Sequence, residues 1–221
     1  MLIEPFIEIQ GEHRSFWLRK PRRIGTRLLI ARKGCRIPAS DRDKAVIFLS
    51  VKRAFGTGGH GTTEGCLLAL EKHLPGRESV LDLGTGTGIL AIAARKLGAG
   101  SVTATDIDRT ACLETRENLL LNGMQGEVDV VEGGIQSVGG PFELLVANLR
   151  THLLAGLLEE MVGRLEEGGE AIFSGIMEAE LHSFAALLEK HPLTVQEIVR
   201  VRGWMTIVAA RKRSPVPTQG V

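Results

Sequence analysis

In the stretch Val80-Leu-Asp-Leu-Gly-Thr-Gly-Thr-Gly-Ile-Leu-Ala-Ile-Ala-Ala-Arg95, an apolar run, a glycine turn and a run of small residues follow one another without a break. The first reads as a buried strand, Gly84, Gly86 and Gly88 as the turn, and the last as a helix that starts at once. Alternate glycines let the backbone pass close to a bound molecule, and Gly88 is expected to let the helix pack tightly on its strand. Ile89 stands where the dinucleotide pattern G-x-G-x-x-G needs glycine, so the pattern here is G-x-G-x-G. A pyrophosphate requires free N–H groups at a helix N-terminus. S-adenosylmethionine has no phosphate, and the shifted spacing favours it over NAD.

The next unit, Ser101-Val-Thr-Ala-Thr-Asp-Ile-Asp108, reads as the second strand and ends in two acids. Asp108 suits the N-cap of a helix beginning near Arg109, which leaves Asp106 to accept hydrogen bonds from the hydroxyls of a ribose. From Glu78 onward strand and helix alternate. Helices are expected at Arg109 to Asn122, Thr151 to Leu165 and Glu178 to His191, and strands at Glu127 to Glu132, Phe142 to Ala147, Glu170 to Ser174, Thr194 to Arg200 and Trp204 to Ala210. The last two strands form a hairpin through Gly203. Leu153, Leu154, Leu157, Leu158, Met161 and Leu165 are expected as one core stripe. This is an α/β pattern, a doubly wound, mostly parallel seven-stranded sheet with helices on both faces. Ligands in such sheets sit beyond the carboxyl ends of the strands, where Gly84 to Gly88, Asp106, Glu132-Gly133-Gly134 and Asn148 converge.

With 221 residues, 43% hydrophobic and 24% charged, the chain has the composition of an ordinary globular protein. No apolar run approaches the roughly 18 residues of a membrane span. Met1 to Gln10 holds no cleavable apolar region, so a cytoplasmic protein is expected. Cys35, Cys66 and Cys112 form no C-x-x-C pair and read as buried thiols, with no metal site implied. Between Arg14 and Arg36 lie nine basic residues and no acids. That stripe is either a solvated face or a contact for ribosomal RNA or an acidic protein surface.

Residues 1–53 read as a short basic extension, with strand-like runs at Phe6 to Ile9, Arg27 to Ala31 and Ala45 to Ser50, packed along a main domain of residues 54–213. Residues 214–221 read as a flexible tail. Phe55-Gly-Thr-Gly-Gly-His-Gly-Thr-Thr63 is a glycine-rich loop able to wrap a ligand, with Thr57, His60, Thr62 and Thr63 offering hydrogen bonds. Thr62 or Thr63 serves equally as the N-cap of a helix to His73.

These same segments, Phe55 to Thr63, Leu81 to Ala94, Asp106-Ile-Asp108 and Val146-Ala-Asn-Leu149, resemble the PrmA-type protein methyltransferases, which modify a protein of the large ribosomal subunit. The resemblance implies a class I, Rossmann-like methyltransferase using S-adenosyl-L-methionine. It places Thr63, Gly84, Asp106 and Asn148 on cofactor-binding positions, and Phe55, Gly56, Thr57 and His60 on a loop closing over the methionine end. We group Asp82, Gly86, Gly88, Ile107 and Gly133 with the cofactor set. Trp17, Pro21, Ile24 and Gly25 look like the family's linker, with almost nothing before it, so the family's N-terminal docking domain is expected to be missing. The acceptor is then a lysine or N-terminal amine of a ribosomal or other protein. RNA, a small molecule, or a partner protein that binds the cofactor without catalysis are the other options.

A lysine near pKa 10.4 must lose its proton before attack, at a cost of roughly 4 kcal/mol at pH 7. An apolar pocket lowers that cost. Asn148 is expected to orient the amine, with Phe55 and Thr57 as walls. The competing role for Asn148 is a cap for the helix at Thr151. Asn148-Leu-Arg150 lacks the N-P-P-[YF] pattern that holds planar nitrogen groups, which favours an aliphatic amine.

Overall fold

The computed structural model describes the backbone of residues 6–9 and all of residues 20–50, 55–56 and 58–214. Its N-terminal part holds β1 (Phe6–Ile9), β2 (Arg22–Ile24), β3 (Leu28–Arg32) and β4 (Ala45–Leu49), followed by α1 (Gly61–His73). The alternating body then runs β5 (Ser79–Leu83), α2 (Ile89–Leu97), β6 (Ser101–Asp106), α3 (Arg109–Leu121), β7 (Asp129–Glu132) and β8 (Phe142–Asn148). It closes with α4 (Thr151–Gly163), β9 (Leu165–Met177), α5 (Leu181–Glu189), β10 (Leu193–Val201) and β11 (Trp204–Arg211).

All seven strands read from the sequence lie in one sheet, and β1 adds an eighth at its edge, in the order β1-β10-β11-β9-β8-β5-β6-β7. Strands β5 to β9 pair in parallel, and only β11 runs against its neighbours β9 and β10. The centre is apolar on both faces, as Val80, Leu81, Leu144, Leu145, Val146 and Ala147 are fully buried. One core lies under α1, α2 and α3, and the other under α4 and α5. Because β5 has β6 on one side and β8 on the other, the strand order reverses there and opens a crevice at their carboxyl ends.

The β10–β11 connection is the expected two-residue hairpin, with Arg202 at φ 50 and Gly203 at φ 77, the paired positive angles of a type I′ turn. Elsewhere the structure corrects the sequence. Leu165 begins β9 and does not end α4, because it pairs with Phe142 across the sheet. The α4 stripe therefore splits, with Leu154, Leu158 and Met161 buried and Leu153 exposed. Cys66 and Cys112 are buried but Cys35 is only partly so. The N-terminal segment forms a three-stranded sheet, β2-β3-β4. Its Ile24, Leu28, Ile30, Ile47 and Leu49 pack into the core beneath α1 and α2. A segment too short for its own core thus borrows one.

Candidate active site

The rim is assembled by four neighbouring parallel strands whose ends carry Gly133, Asp106, Gly84 and Asn148, in that spatial order. At about 4.8 Å per strand the four span roughly 14 Å. Asp106 ends β6, and its Oδ2 accepts from the Gly86 N–H at 3.0 Å while Oδ1 accepts from the Asp108 N–H at 3.0 Å. One lone pair on each oxygen is left over, the requirement for gripping a vicinal diol. Asp108 caps α3 by accepting from the Thr110 N–H at 2.8 Å, as its position after the strand suggested. Ile107 between them is 82% exposed and offers an apolar face on the rim. The Gly133 N–H donates to the Asp106 carbonyl at 2.8 Å, which binds the β6 and β7 ends together.

The amides of the glycine turn are spent inside the protein. Gly84 and Thr85 donate to the Thr105 carbonyl at 2.8 and 3.0 Å, Thr87 to Phe55 at 3.0 Å and Gly88 to Thr85 at 2.9 Å. Together with the Gly86 bond to Asp106, no cradle of free N–H groups is left in this turn for a pyrophosphate. The glycines answer to close packing. A Cβ on Gly86 would sit 2.3 Å from the Phe55 carbonyl oxygen, and one on Gly88 would sit 2.8 Å from Thr115 of α3. Gly88 therefore lets the turn meet α3, not the strand that precedes it.

Asp82, the penultimate residue of β5, is wholly buried. Its Oδ2 accepts from the Thr85 hydroxyl at 2.7 Å and the Ala91 N–H at 3.1 Å, while Oδ1 has no hydrogen-bond partner among the described residues. Burial pushes its carboxyl up to about 7, against the opposing pull of those two donors. A buried acceptor with nothing to accept marks a place for a cation or another donor.

Asn148 ends β8, half-buried, and its Nδ2 points to the Thr63 Oγ1 at 3.5 Å. Arg150 occupies the N-cap of α4, so Asn148 is not the cap. The cap of α1 is His60, whose Nδ1 accepts from the Thr62 N–H, and neither threonine takes that role. The His60 ring lies between Phe55, at 5.3 Å, and Trp204, at 4.9 Å. Phe55 is 57% exposed, and with His60 and Trp204 it makes an aromatic strip that starts at the glycine loop. The Gly56 carbonyl accepts from the Thr87 hydroxyl at 2.5 Å, joining the loop to the turn. Thr57 lies outside the described residues, as do Trp17, the basic residues Arg14 and Arg19, and the tail from 215.

Sequence reasoning missed Trp204, Ser174, Gly175 and Thr206. Ser174 donates to the Thr62 carbonyl at 3.1 Å and lies 2.7 Å from the Thr206 hydroxyl. Gly175, at φ 92, is the extra residue where β9 slips against β11, and a Cβ there would sit 2.1 Å from the Leu149 carbonyl oxygen. Glycine was the available signal for this bulge, but nothing local ties it to Asn148-Leu149.

An open α/β sheet with an acid at the end of its second core strand whose oxygens keep a lone pair each, an unsatisfied buried carboxylate and no anion cradle in its glycine turn has the features of the S-adenosylmethionine methyltransferase class. Residues 12–212 match the family described as Ribosomal protein L11 methyltransferase (PrmA). The chain belongs to that family. It is 39% identical over 171 residues to the ribosomal protein L11 methyltransferase of Bacillus cytotoxicus, covering 77% of this chain and 55% of that protein. With the protein of the same name from Bacillus cereus the identity is 38%, with the same coverage. The chain thus spans about half the length of these curated relatives. The crystal structure of a ribosomal protein L11 methylase from Lactobacillus delbrueckii subsp. bulgaricus is similar at a TM-score of 0.82 and 32% identity, covering 87% of this chain and 99% of that one. A methyltransferase from Pyrococcus furiosus shares the fold at a TM-score of 0.61 and 22% identity, covering 75% of this chain and 89% of that one.

Proposed function

We propose that the chain is an S-adenosyl-L-methionine-dependent N-methyltransferase acting on an amine of a protein, with a ribosomal protein as the acceptor suggested by its relatives' names. The observation that carries this reading is the meeting, on one rim, of the diol-ready Asp106 and the half-buried amide of Asn148, with the unsatisfied Asp82 oxygen buried beneath the glycine turn between them. The bound cofactor supplies a methyl group on a positively charged sulfur. Asp106 takes the ribose hydroxyls, Ile107 covers the base and Asp82 faces the amino-acid ammonium. Gly56, Thr63, Gly84, Gly86, Gly88 and Gly133 shape the walls between them.

On the acceptor side, Asn148 holds its Nδ2 toward Thr63, which frees Oδ1 to accept from the amine and aim its lone pair. Phe55 walls this pocket, and His60 and Trp204 extend it as an aromatic strip; Thr57, the second wall expected from the sequence, lies outside the described residues. An apolar wall disfavours the ammonium form of a lysine, which is the proton problem that the acceptor must overcome. No helix of the described residues is long and apolar enough to cross a membrane. Among the described residues, no cluster of ligands that could hold a metal is present.

Within the basic stripe, Arg22 and Arg23 pair with Glu64 and Asp41, and Arg27 donates to the Leu97 carbonyl. Arg32, Lys33 and Arg36 are exposed. A contact with ribosomal RNA would run through those three and weaken steeply with salt.

Calorimetric titration with S-adenosylhomocysteine and, separately, with NAD tests the cofactor assignment. Saturable binding of the first and none of the second is expected. Tight NAD binding alone would contradict the assignment and make the glycine turn a dinucleotide site.

A further inference from the structure

We propose that Arg22, Glu64 and Arg202 form a latch that holds the Gly58–Gly59 segment of the glycine loop over the site, making all three positioning residues for cofactor binding. The inference rests on the assignment of that loop to the cofactor site. Glu64, in the first turn of α1, is more than nine-tenths buried and takes two guanidinium groups, one from Arg22 on β2 and one from Arg202 in the β10–β11 turn. The same arginines reach past it to the loop. Arg22 Nη1 donates to the Gly58 and Gly59 carbonyls at 3.3 and 3.4 Å, and Arg202 Nη2 donates to the Gly59 carbonyl at 3.2 Å.

Two details show that this arrangement is specified. Arg202 sits at φ 50, a left-handed position that glycine would fill without strain. A guanidinium is worth keeping there only for what it holds. Gly58 is also fitted to its place, because it sits at φ 74 and a Cβ on it would lie 3.2 Å from both Ile30 of β3 and Ile89 of α2. The loop is therefore stitched to the cofactor turn through Thr87 on one side, and to the N-terminal sheet and the hairpin through the two arginines on the other. The segment that reads as a basic extension becomes part of the binding apparatus.

Hydrogen–deuterium exchange of residues 55–60 in the cofactor-free protein, and the dissociation constant for S-adenosylhomocysteine, are measured in Arg202→Gly, Arg22→Ala and Glu64→Gln. Arg23→Ala, which removes the neighbouring Asp41 pair, is the control. Each latch variant is expected to speed loop exchange and to weaken binding about tenfold, the scale of one lost charge-assisted hydrogen bond. Arg202→Gly also eases the backbone at φ 50, which offsets part of the lost ion pair in the melting temperature, so the change in exchange at residues 58–60 is expected to exceed that of the protein as a whole. Parental exchange in Arg202→Gly and Glu64→Gln, or the same acceleration in Arg23→Ala, overturns the latch. A parent protein that fails to bind S-adenosylhomocysteine overturns the cofactor assignment instead, and the exchange rates still decide the latch.

Discussion

Asp82 is a buried carboxylate with one oxygen satisfied and one waiting, and its elevated proton affinity makes the cofactor assignment testable by pH. At pH 6 most of the empty protein holds Asp82 protonated, since burial has raised it to about 7. A ligand ammonium needs the ionised form, so binding should release a proton. Affinity for S-adenosylhomocysteine is expected to fall toward about tenfold per pH unit below 7 and to level off above it. Asp82→Asn should flatten that dependence in the same titration. The linkage has a second face. Because the folded state holds this proton more tightly, Asp82 withdraws stability as pH rises from the ordinary carboxylate value through about 7. Asn148→Ala should reduce methyl transfer at least about 100-fold, the scale of a lost orienting group, well beyond any loss of S-adenosylhomocysteine affinity and with the melting temperature near that of the parent. Asp106 and Asp108 could be told apart in the sequence because a strand end and a helix start lie two residues apart. The His60 cap and the Gly86 contact with Phe55 could not, because both depend on how a loop lies against its surroundings in space.

Between elements, His73 at the end of α1 sits between Glu170 of β9, at 3.1 Å, and Glu197 of β10, at 2.6 Å. The bond to Glu170 first, and then Glu197, raise the imidazole against the opposing effect of burial. Glu197 is buried and Glu170 partly so, which raises both, yet His73 with Arg77 and Lys72 holds them below the usual range. The imidazole's share of stability is fully present below its unfolded value near 6.5 and is lost as pH rises through its higher folded value. The carboxylates' share disappears at the acid end, as pH falls through their lowered values. Urea melts of the parent and His73→Gln should therefore differ most between about pH 5 and 6.5 and draw together as pH rises beyond that through the raised folded value. At the β9 bulge, Gly175→Ala would place a methyl group against the Leu149 carbonyl at positive φ, and a loss of about 2 kcal/mol is expected in the same melts. Helix and strand identities were legible from periodicity. The early start of β9 was not, since Leu165 falls four residues after Met161 and fits a helical stripe as well as a strand.

At the scale of the whole molecule, β2-β3-β4 is built into the same core as α1 and α2, and Arg22 reaches from it to the glycine loop. Its charge pattern suggested an outward face, but side-chain direction in a short hairpin is set by the partners it meets in three dimensions. The central claim is that this rim serves transfer of a methyl group to a protein amine. The most direct test is incubation with tritium-labelled S-adenosylmethionine and a bacterial ribosomal extract, followed by alkali treatment and by separate protease and ribonuclease digestion. The account predicts alkali-stable label in a protease-sensitive band, absent with Asn148→Ala. Label that ribonuclease removes, label that alkali releases as an ester, or no label from protein that binds the cofactor would contradict it.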